Sequence, residues 1–223
     1  MGKSFQSGFT LVEMTVVLII LGLMLGWLLM PLEAQIDQKK IQETRVSIAE
    51  IKEALIGFAM INGRFPCPAT VTDPASADFG VETVPCPTAA TSEGYLPWKT
   101  LGVIETDAWG DVQKTSAGGM AGYWRYRVDR NFSVAFDMTT AFSVDALKVQ
   151  DSAGSALTTT TERPVAIIYS TGKNRLADGE NADYEVSNGV YESDVQSTDF
   201  DDHLAWISRP LLMNRMVTAG KLP

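Results

Sequence analysis

From Met14 to Leu32 the chain carries no charged residue, and most positions are Leu, Ile, Val or Met. At ~1.5 Å per residue such a helix is about 28 Å long, close to the ~30 Å hydrocarbon core of a bilayer. Phe9, Leu11 and Val12 extend the apolar character toward the N-terminus, interrupted by Glu13. A core helix of a globular protein has one apolar stripe, whereas this one is apolar all round, which predicts a membrane helix. Past Pro31 the pattern changes. Ile41, Ile48, Ile51, Leu55 and Phe58 recur at helical spacing, with Gln38, Lys40, Glu43, Arg45, Glu50, Lys52 and Glu53 on the other faces. Asn62-Gly63 and Pro66 supply a stop. One helix from about Phe9 to Ile61 is then predicted, roughly 80 Å long. No single small domain covers such a rod, so lipid or other subunits must bury its first half, while the amphipathic seam docks on the rest of the chain.

Beyond residue 62 the periodicity shortens. Tyr123 to Val128 and Phe132 to Phe136 read as strands about a turn at Asn131, and Pro164 to Ser170 as a more deeply buried strand. Asp151 to Thr161, rich in Ser, Thr, Gly and Ala, reads as a surface loop. Ser208 before Arg209-Pro210 predicts a short capped helix from Leu211 to Ala219, ending at Gly220. Tyr95-Leu-Pro-Trp98 and Asp107-Ala-Trp109-Gly110 place aromatics beside turns, where buried anchors are favoured over a ligand platform.

Composition narrows the function. The 223 residues hold 18 basic and 27 acidic side chains, a net charge of −9, which argues against a nucleic-acid surface. One histidine and two cysteines rule out a four-ligand zinc site of His and Cys. With the membrane run, this balance argues against a soluble cytosolic enzyme. The leader Met1 to Gly8 is short and polar, with Lys3 as its base, and no small-x-small cleavage site follows the apolar run. The run is therefore expected to stay as an anchor. Lys3 favours a cytoplasmic N-terminus, although Lys39 and Lys40 beyond the run oppose that bias. Glu13 costs about 2.5–3.5 kcal/mol at the centre of a spanning helix, and less near its end, where the helix dipole also favours it.

Gly8-Phe9-Thr10-Leu11-Val12-Glu13, followed by the long apolar run, resembles the type III signal of type IV prepilins and type II secretion pseudopilins. The resemblance implies cleavage between Gly8 and Phe9 by a prepilin peptidase, N-methylation of Phe9, and pairing of Glu13 with the terminal amine of a neighbouring subunit. It implies an α+β, pilin-like fold, in which a long N-terminal helix packs on an antiparallel β-sheet head. The divisions are a leader (1–8), a transmembrane assembly half of the helix (9–33), its amphipathic half (34–62) and a periplasmic head (63–223). Gly22 and Pro31 fall where pilin helices commonly loosen or bend. The implied partners are other pilin or pseudopilin subunits, the peptidase and an inner-membrane assembly platform, with no nucleic acid. The head exceeds a minimal major pseudopilin, which favours a minor subunit. An adhesive or tip-binding pilin is the alternative. A membrane-anchored periplasmic enzyme is the less favoured one, because His203 beside Asp201 and Asp202 is the only candidate base and no activated nucleophile accompanies it. A satisfied surface histidine is the favoured reading.

With the head outside the cytoplasm, Cys67 and Cys86, each between prolines, are expected to form a disulfide, free or metal-binding thiols being the alternative. Residues 173–202 hold nine acids against Lys173 and Arg175. A solvated acidic loop is one reading. The other is calcium, because hard oxygen ligands gather where the chain turns at Gly172, Gly179 and Gly189. Gly179 to Asp183 resembles the calcium-loop region of the major pseudopilin, with Asp178, Asn181 and Asp183 as the implied ligands. EF-hand spacing is absent.

Overall fold

The computed structural model describes residues 10–86, 93–110, 120–144, 146–183 and 188–222, with the backbone alone for residues 25–32. Helix α1 (Leu11–Asn62) is followed by β1 (Glu93–Tyr95), α2 (Trp98–Leu101), β2 (Arg125–Val128), β3 (Lys148–Gln150), β4 (Pro164–Ser170), β5 (Val190–Glu192), β6 (His203–Ser208) and α3 (Arg209–Thr218). The chain divides into two units, residues 1–42 and 43–223. In the first, the helix assignment runs unbroken through Gly22 and Pro31. Every side chain from Leu11 to Met24 is exposed. Among the described residues no helix is long and apolar enough to cross a membrane.

The second unit is α+β. Strands β1, β2, β4 and β6 form an antiparallel sheet in the order β1-β2-β4-β6, with Tyr126 opposite Ile168 and Ile168 opposite Ala205. Both faces of this sheet are covered. Successive side chains of a strand point to opposite faces. On one face Tyr126, Val128, Ala166, Ile168 and Ile207 pack with Ile48, Ile51, Leu55, Ile56 and Ala59 of α1 and with Leu212, Met213 and Met216 of α3. On the other, Ile167 and Tyr169 meet Val149 and Tyr191 from the parallel pair β3–β5 and Leu147 just before it. All seven residues of β4 are buried for this reason. Thr44, three residues after Ile41 and four before Ile48, continues the seam as a fully buried polar residue, and Phe58 of that seam is only half-buried under the Arg64 guanidinium.

The disulfide joins Cys67 to Cys86. Its loop lies along the β1 edge, where Ala69 and Tyr95 exchange backbone hydrogen bonds, and Phe79 packs edge-on against Trp98 at 4.9 Å. Gly94 is required at this approach, since a Cβ there would come 2.8 Å from the Ala69 carbonyl oxygen. Glu93 ties the two layers together. Its carboxylate pairs with Arg125 and accepts the hydroxyls of Tyr169 at 2.9 Å and Tyr191 at 2.7 Å.

Phe132 to Phe136, expected as a strand, is not one. Residues Arg130–Phe132 form a 3-10 turn, because the Asp129 carboxylate accepts the Asn131 N–H at 3.0 Å and also the Ser143 N–H and hydroxyl. That geometry buries Phe132 and Phe136 side by side, their rings 5.4 Å apart, where a strand would put them on one face but about 13 Å apart along it. Ser208 takes the extended N-cap conformation before α3, with Pro210 in the first turn, but its side chain makes no cap hydrogen bond. Trp98 and Trp109 are buried, as loop anchors should be.

Candidate functional site

Two places gather the residues to which the sequence assigns chemistry. The first is the start of α1. Thr10 and Glu13 form a reciprocal cap: the Glu13 carboxylate accepts the Thr10 N–H and hydroxyl, both at 2.8 Å, and the Thr10 hydroxyl oxygen accepts the Glu13 N–H at 3.3 Å. This is a T-x-x-E capping box, which satisfies donors that a helix start leaves without partners. Glu13 therefore fastens the first turn in addition to carrying charge. The expected cleavage point between Gly8 and Phe9 lies outside the described residues. The side chains that follow, Leu11 at 85% and Leu23 at 71% exposure among them, offer apolar surface around the whole helix.

The second place is acidic. Strand β4 ends at Ser170, whose hydroxyl donates to Asp107 and accepts the Gly172 N–H at 3.1 Å. Asp107 also accepts the Trp109 N–H at 2.9 Å, so the Asp-Ala-Trp-Gly turn is moored to the end of β4. Burial pushes the Asp107 carboxyl above its ordinary range, against the opposing hydrogen bonds of Ser170, Trp109 and Gly110. The chain turns at Gly172 with φ +60°, where a Cβ would stand 2.3 Å from the Asp201 carbonyl oxygen. This lets the loop lie against the segment entering β6.

Three carboxylates meet there. Asp178, Asp201 and Asp202 each offer an oxygen, all within 4.8 Å of one another. Asp178 accepts the Asn174 side-chain amide at 3.0 Å and the Asp201 N–H at 2.8 Å. Asp201 accepts the Asn174 N–H at 2.9 Å. Asp202 accepts the Asp178 N–H at 3.0 Å and the Asn181 amide at 2.9 Å, both on Oδ2. The other oxygens, Oδ1 of Asp201 and Oδ1 of Asp202, are buried and find no hydrogen-bond partner among the described residues. Burial, reinforced by the charges of Asp178 and Asp201, raises the Asp202 carboxyl to about 7, and burial with Asp178 beside it raises Asp201.

Of the three implied calcium ligands, Asp178 alone joins this group. Asn181 is fully buried in the 3-10 turn Gly179–Asp183, where its side-chain oxygen accepts the Glu192 N–H at 2.9 Å and its amide donates to the Glu192 carbonyl. Asp183 is exposed on the far end of that turn. The carboxylates that Asp178 meets instead, Asp201 and Asp202, lie 23 and 24 residues further along the chain.

His203 is buried, not a surface residue. Its ring stacks on Trp109 at 5.5 Å, and the Gln196 amide nitrogen lies 2.7 Å from Nε2. Burial, with Arg45 nearby, lowers it to about 4, so it is neutral at pH 7. Its ring partner is an amide rather than a hydroxyl or thiol nucleophile. A cavity of about 280 Å³ lies beside it, lined by Arg45, Ser193, Asp194, Gln196 and Asp202.

Comparison with known proteins bears on the first of these places. No curated protein sequence and no solved structure matches the chain. Residues 3–29, which include the hexapeptide and most of the apolar run, match the family model of the prokaryotic N-terminal methylation motif, the type IV prepilin signal, as in a pilin or pseudopilin.

Proposed function

We propose that the chain is a minor pilin-like structural subunit of a type II secretion pseudopilus or a type IV pilus. The observation that carries this reading is the methylation motif at residues 3–29, opening a helix that exposes large apolar side chains on every side from Leu11 to Met24. Apolar area of that extent is unfavourable in water by about 25 cal/mol per Å², so lipid covers it before assembly and neighbouring helices cover it afterwards. On this reading a prepilin peptidase cuts between Gly8 and Phe9 and methylates the new amine, which keeps its positive charge. The chain then spans the inner membrane once, with its N-terminus cytoplasmic and its head periplasmic, until the assembly platform passes it into the fibre. Glu13 supplies the one carboxylate near the start of the apolar run, and a neighbour's terminal amine is the cation it pairs with. The Cys67–Cys86 bond accords with an oxidising compartment. Nothing about His203 favours catalysis.

The test is the mature N-terminus. Mass spectrometry of the protein purified from membranes should give a chain beginning at N-methylated Phe9. A mature chain that begins at Met1, or one cut beyond residue 33, would sink the reading.

A further inference from the structure

We propose that the outer edge of β6 takes up an extended segment of a partner protein as a further strand of the sheet, with a carboxylate of that segment on Arg45. The two edges of the sheet differ. Strand β1 has three residues, and Ala69 of the disulfide loop exchanges backbone hydrogen bonds with Tyr95 along it. Strand β6 forms the other edge, runs six residues and pairs with β4 alone among the described residues. Edge strands are ordinarily guarded by short length, Lys, Pro, a bulge or a covering loop. Residues 203–208 contain no Lys, no Pro and no carboxylate. The irregularity of the β4–β6 ladder falls between Pro164 and Ala166, at the far end of β6, so His203 to Ile207 pair in regular register. Leu204, Ala205 and Trp206 are apolar and only half-buried, whereas all seven residues of β4 are buried.

The cavity beside His203 lies where that further strand would run. Leu204 and Ala205 both line it, although successive side chains of a strand point to opposite faces. Leu204 packs toward the β3–β5 layer and Ala205 toward the layer of α1 and α3. A space touched by both passes the outer edge of the strand, since β4 fills the inner one. Its other walls come from the same two layers: Arg45 and Ile48 of α1, and Ser193, Asp194 and Gln196 after β5. At about 280 Å³ it has room for side chains of an extended segment, whereas a helix is ~10–12 Å across. Strand addition supplies affinity through main-chain hydrogen bonds and specificity through alternate side chains. Charge selects the partner. Asp194 accepts the Ser152 N–H, and Asp202 accepts the Asp178 N–H and the Asn181 amide, so both acids are engaged by their own loops. Arg45 is exposed and forms no ion pair among the described residues. It shares a helix face with Ile48 three residues on, so a strand facing both needs a carboxylate and an apolar side chain two positions apart. A second copy of β6 has no carboxylate to offer, and a chain of net charge −9 repels its own copy.

The experiment uses the full-length protein in detergent and a fluorescein-labelled peptide of alternating Thr and Val, with Glu in place of one central Val. Fluorescence anisotropy should show binding at least tenfold tighter than for the same peptide with Lys in place of Glu. Methylation of alternate backbone nitrogens of the peptide should weaken binding at least tenfold in one of the two registers. Added peptide should also protect amides of residues 203–208 from hydrogen exchange, which contact through side chains alone would not do. Arg45→Glu should reverse the preference between the Glu and Lys peptides and leave the Tm unchanged. Ala205→Arg should fill the cavity and abolish binding. Near-UV circular dichroism identifies loss of packing in that variant, and Arg45→Glu, altered at an exposed position, then carries the test. No binding at ~1 mM peptide overturns the proposal. So does binding indifferent to backbone methylation in both registers, an unchanged preference in Arg45→Glu, or binding that survives in folded Ala205→Arg. Self-association of the wild-type chain that folded Ala205→Arg abolishes, read by sedimentation, would make a second copy the occupant and overturn it as well.

Discussion

Between Leu11 and Met24 every side chain of α1 is exposed, whereas between Ile48 and Ala59 the same helix buries Ile48, Ile51, Leu55, Ile56 and Ala59 and turns Glu50 and Glu53 to water. The two stretches are built from similar residues. What differs is arrangement. A stripe of apolar positions can be satisfied by one partner surface, and the β2–β4–β6 face supplies it. Apolar residues on all sides cannot be satisfied by a single domain, so the first stretch needs surroundings that the chain does not itself provide. The second stretch explains how the head holds together, and the first carries the proposed role as an assembled subunit.

The most drastic way to break this contrast is to keep the first stretch from becoming a mature helix start. Gly8→Leu should abolish processing almost entirely, leaving full-length precursor in the membrane on a pulse-chase gel, with the melting temperature of the head unchanged. Glu13 permits a finer cut. Its carboxylate both carries charge and closes the capping box with Thr10. Glu13→Gln keeps a capping-box residue and loses the charge, whereas Glu13→Ala loses both. If pairing with a neighbour's amine is the role, both variants should insert normally and both should fail to enter fibres in a shearing assay. Failure of the alanine variant alone would assign the role to the cap.

Side-chain truncation at matched residues sharpens the comparison in energetic terms. Leu55 is fully buried, and Leu55→Ala should destabilise the head by about 2–5 kcal/mol through lost burial and the cavity left behind. Leu18 is 66% exposed, and Leu18→Ala should leave the head's denaturant midpoint where it was. Removal of the Cys67–Cys86 bond should cost about 3 kcal/mol on the chain-entropy estimate for its loop. Urea unfolding of Cys67→Ser Cys86→Ser against the oxidised protein measures it, and coincident curves would show that the loop's packing on β1 suffices.

How far these regions could be read in advance follows from the range of their determinants. The extent of α1 is legible because its apolar run and its seam are both periodic over many turns. Strand β4 is legible because coverage on both faces makes it a continuous apolar run. Strands β1, β3 and β5 are three residues each, too short for any period to register. Phe132 to Phe136 has the alternation of a strand, but the outcome turns on Asp129 capping the next residues, with Ser143 as a partner from further along the chain. The Thr10–Glu13 box is local and legible in the T-x-x-E spacing, beside the charge that Glu13 brings to the apolar run. The acidic group is the reverse case. Composition finds the segment, yet Asp178 meets Asp201 across 23 residues only because Gly172 lets the loop lie against β6. Of the neighbours in sequence, Asn181 reaches the group as a hydrogen-bond donor to Asp202, and Asp183 is exposed at the far end of its turn. The burial of His203 depends in the same way on Trp109, which no local pattern connects to it.

The smallest expected effect lies where the disulfide loop meets the end of α1, and it is readable by pH. Glu82 receives two hydrogen bonds from the Arg64 guanidinium, both at 2.9 Å, and the Cys67 N–H at 3.0 Å. Burial pushes its carboxyl up, but these donors together hold it below the ordinary value. A carboxyl lowered in the folded state contributes stability that is fully present above its unfolded pKa, about 4.3, and is lost as pH falls through the folded value. Glu82→Gln retains the shape and loses the charge, so at pH 7 it should cost about 1–2 kcal/mol, as expected for charge-assisted hydrogen bonds partly open to water. As the pH falls through the lowered folded value the wild-type carboxyl takes up its proton, and the difference between the two proteins should close. Chemical denaturation of both in a series of buffers from pH 7 down into the acid range measures it. A gap of constant size down the whole series would mean that shape, and not the Arg64 charge, is what Glu82 contributes.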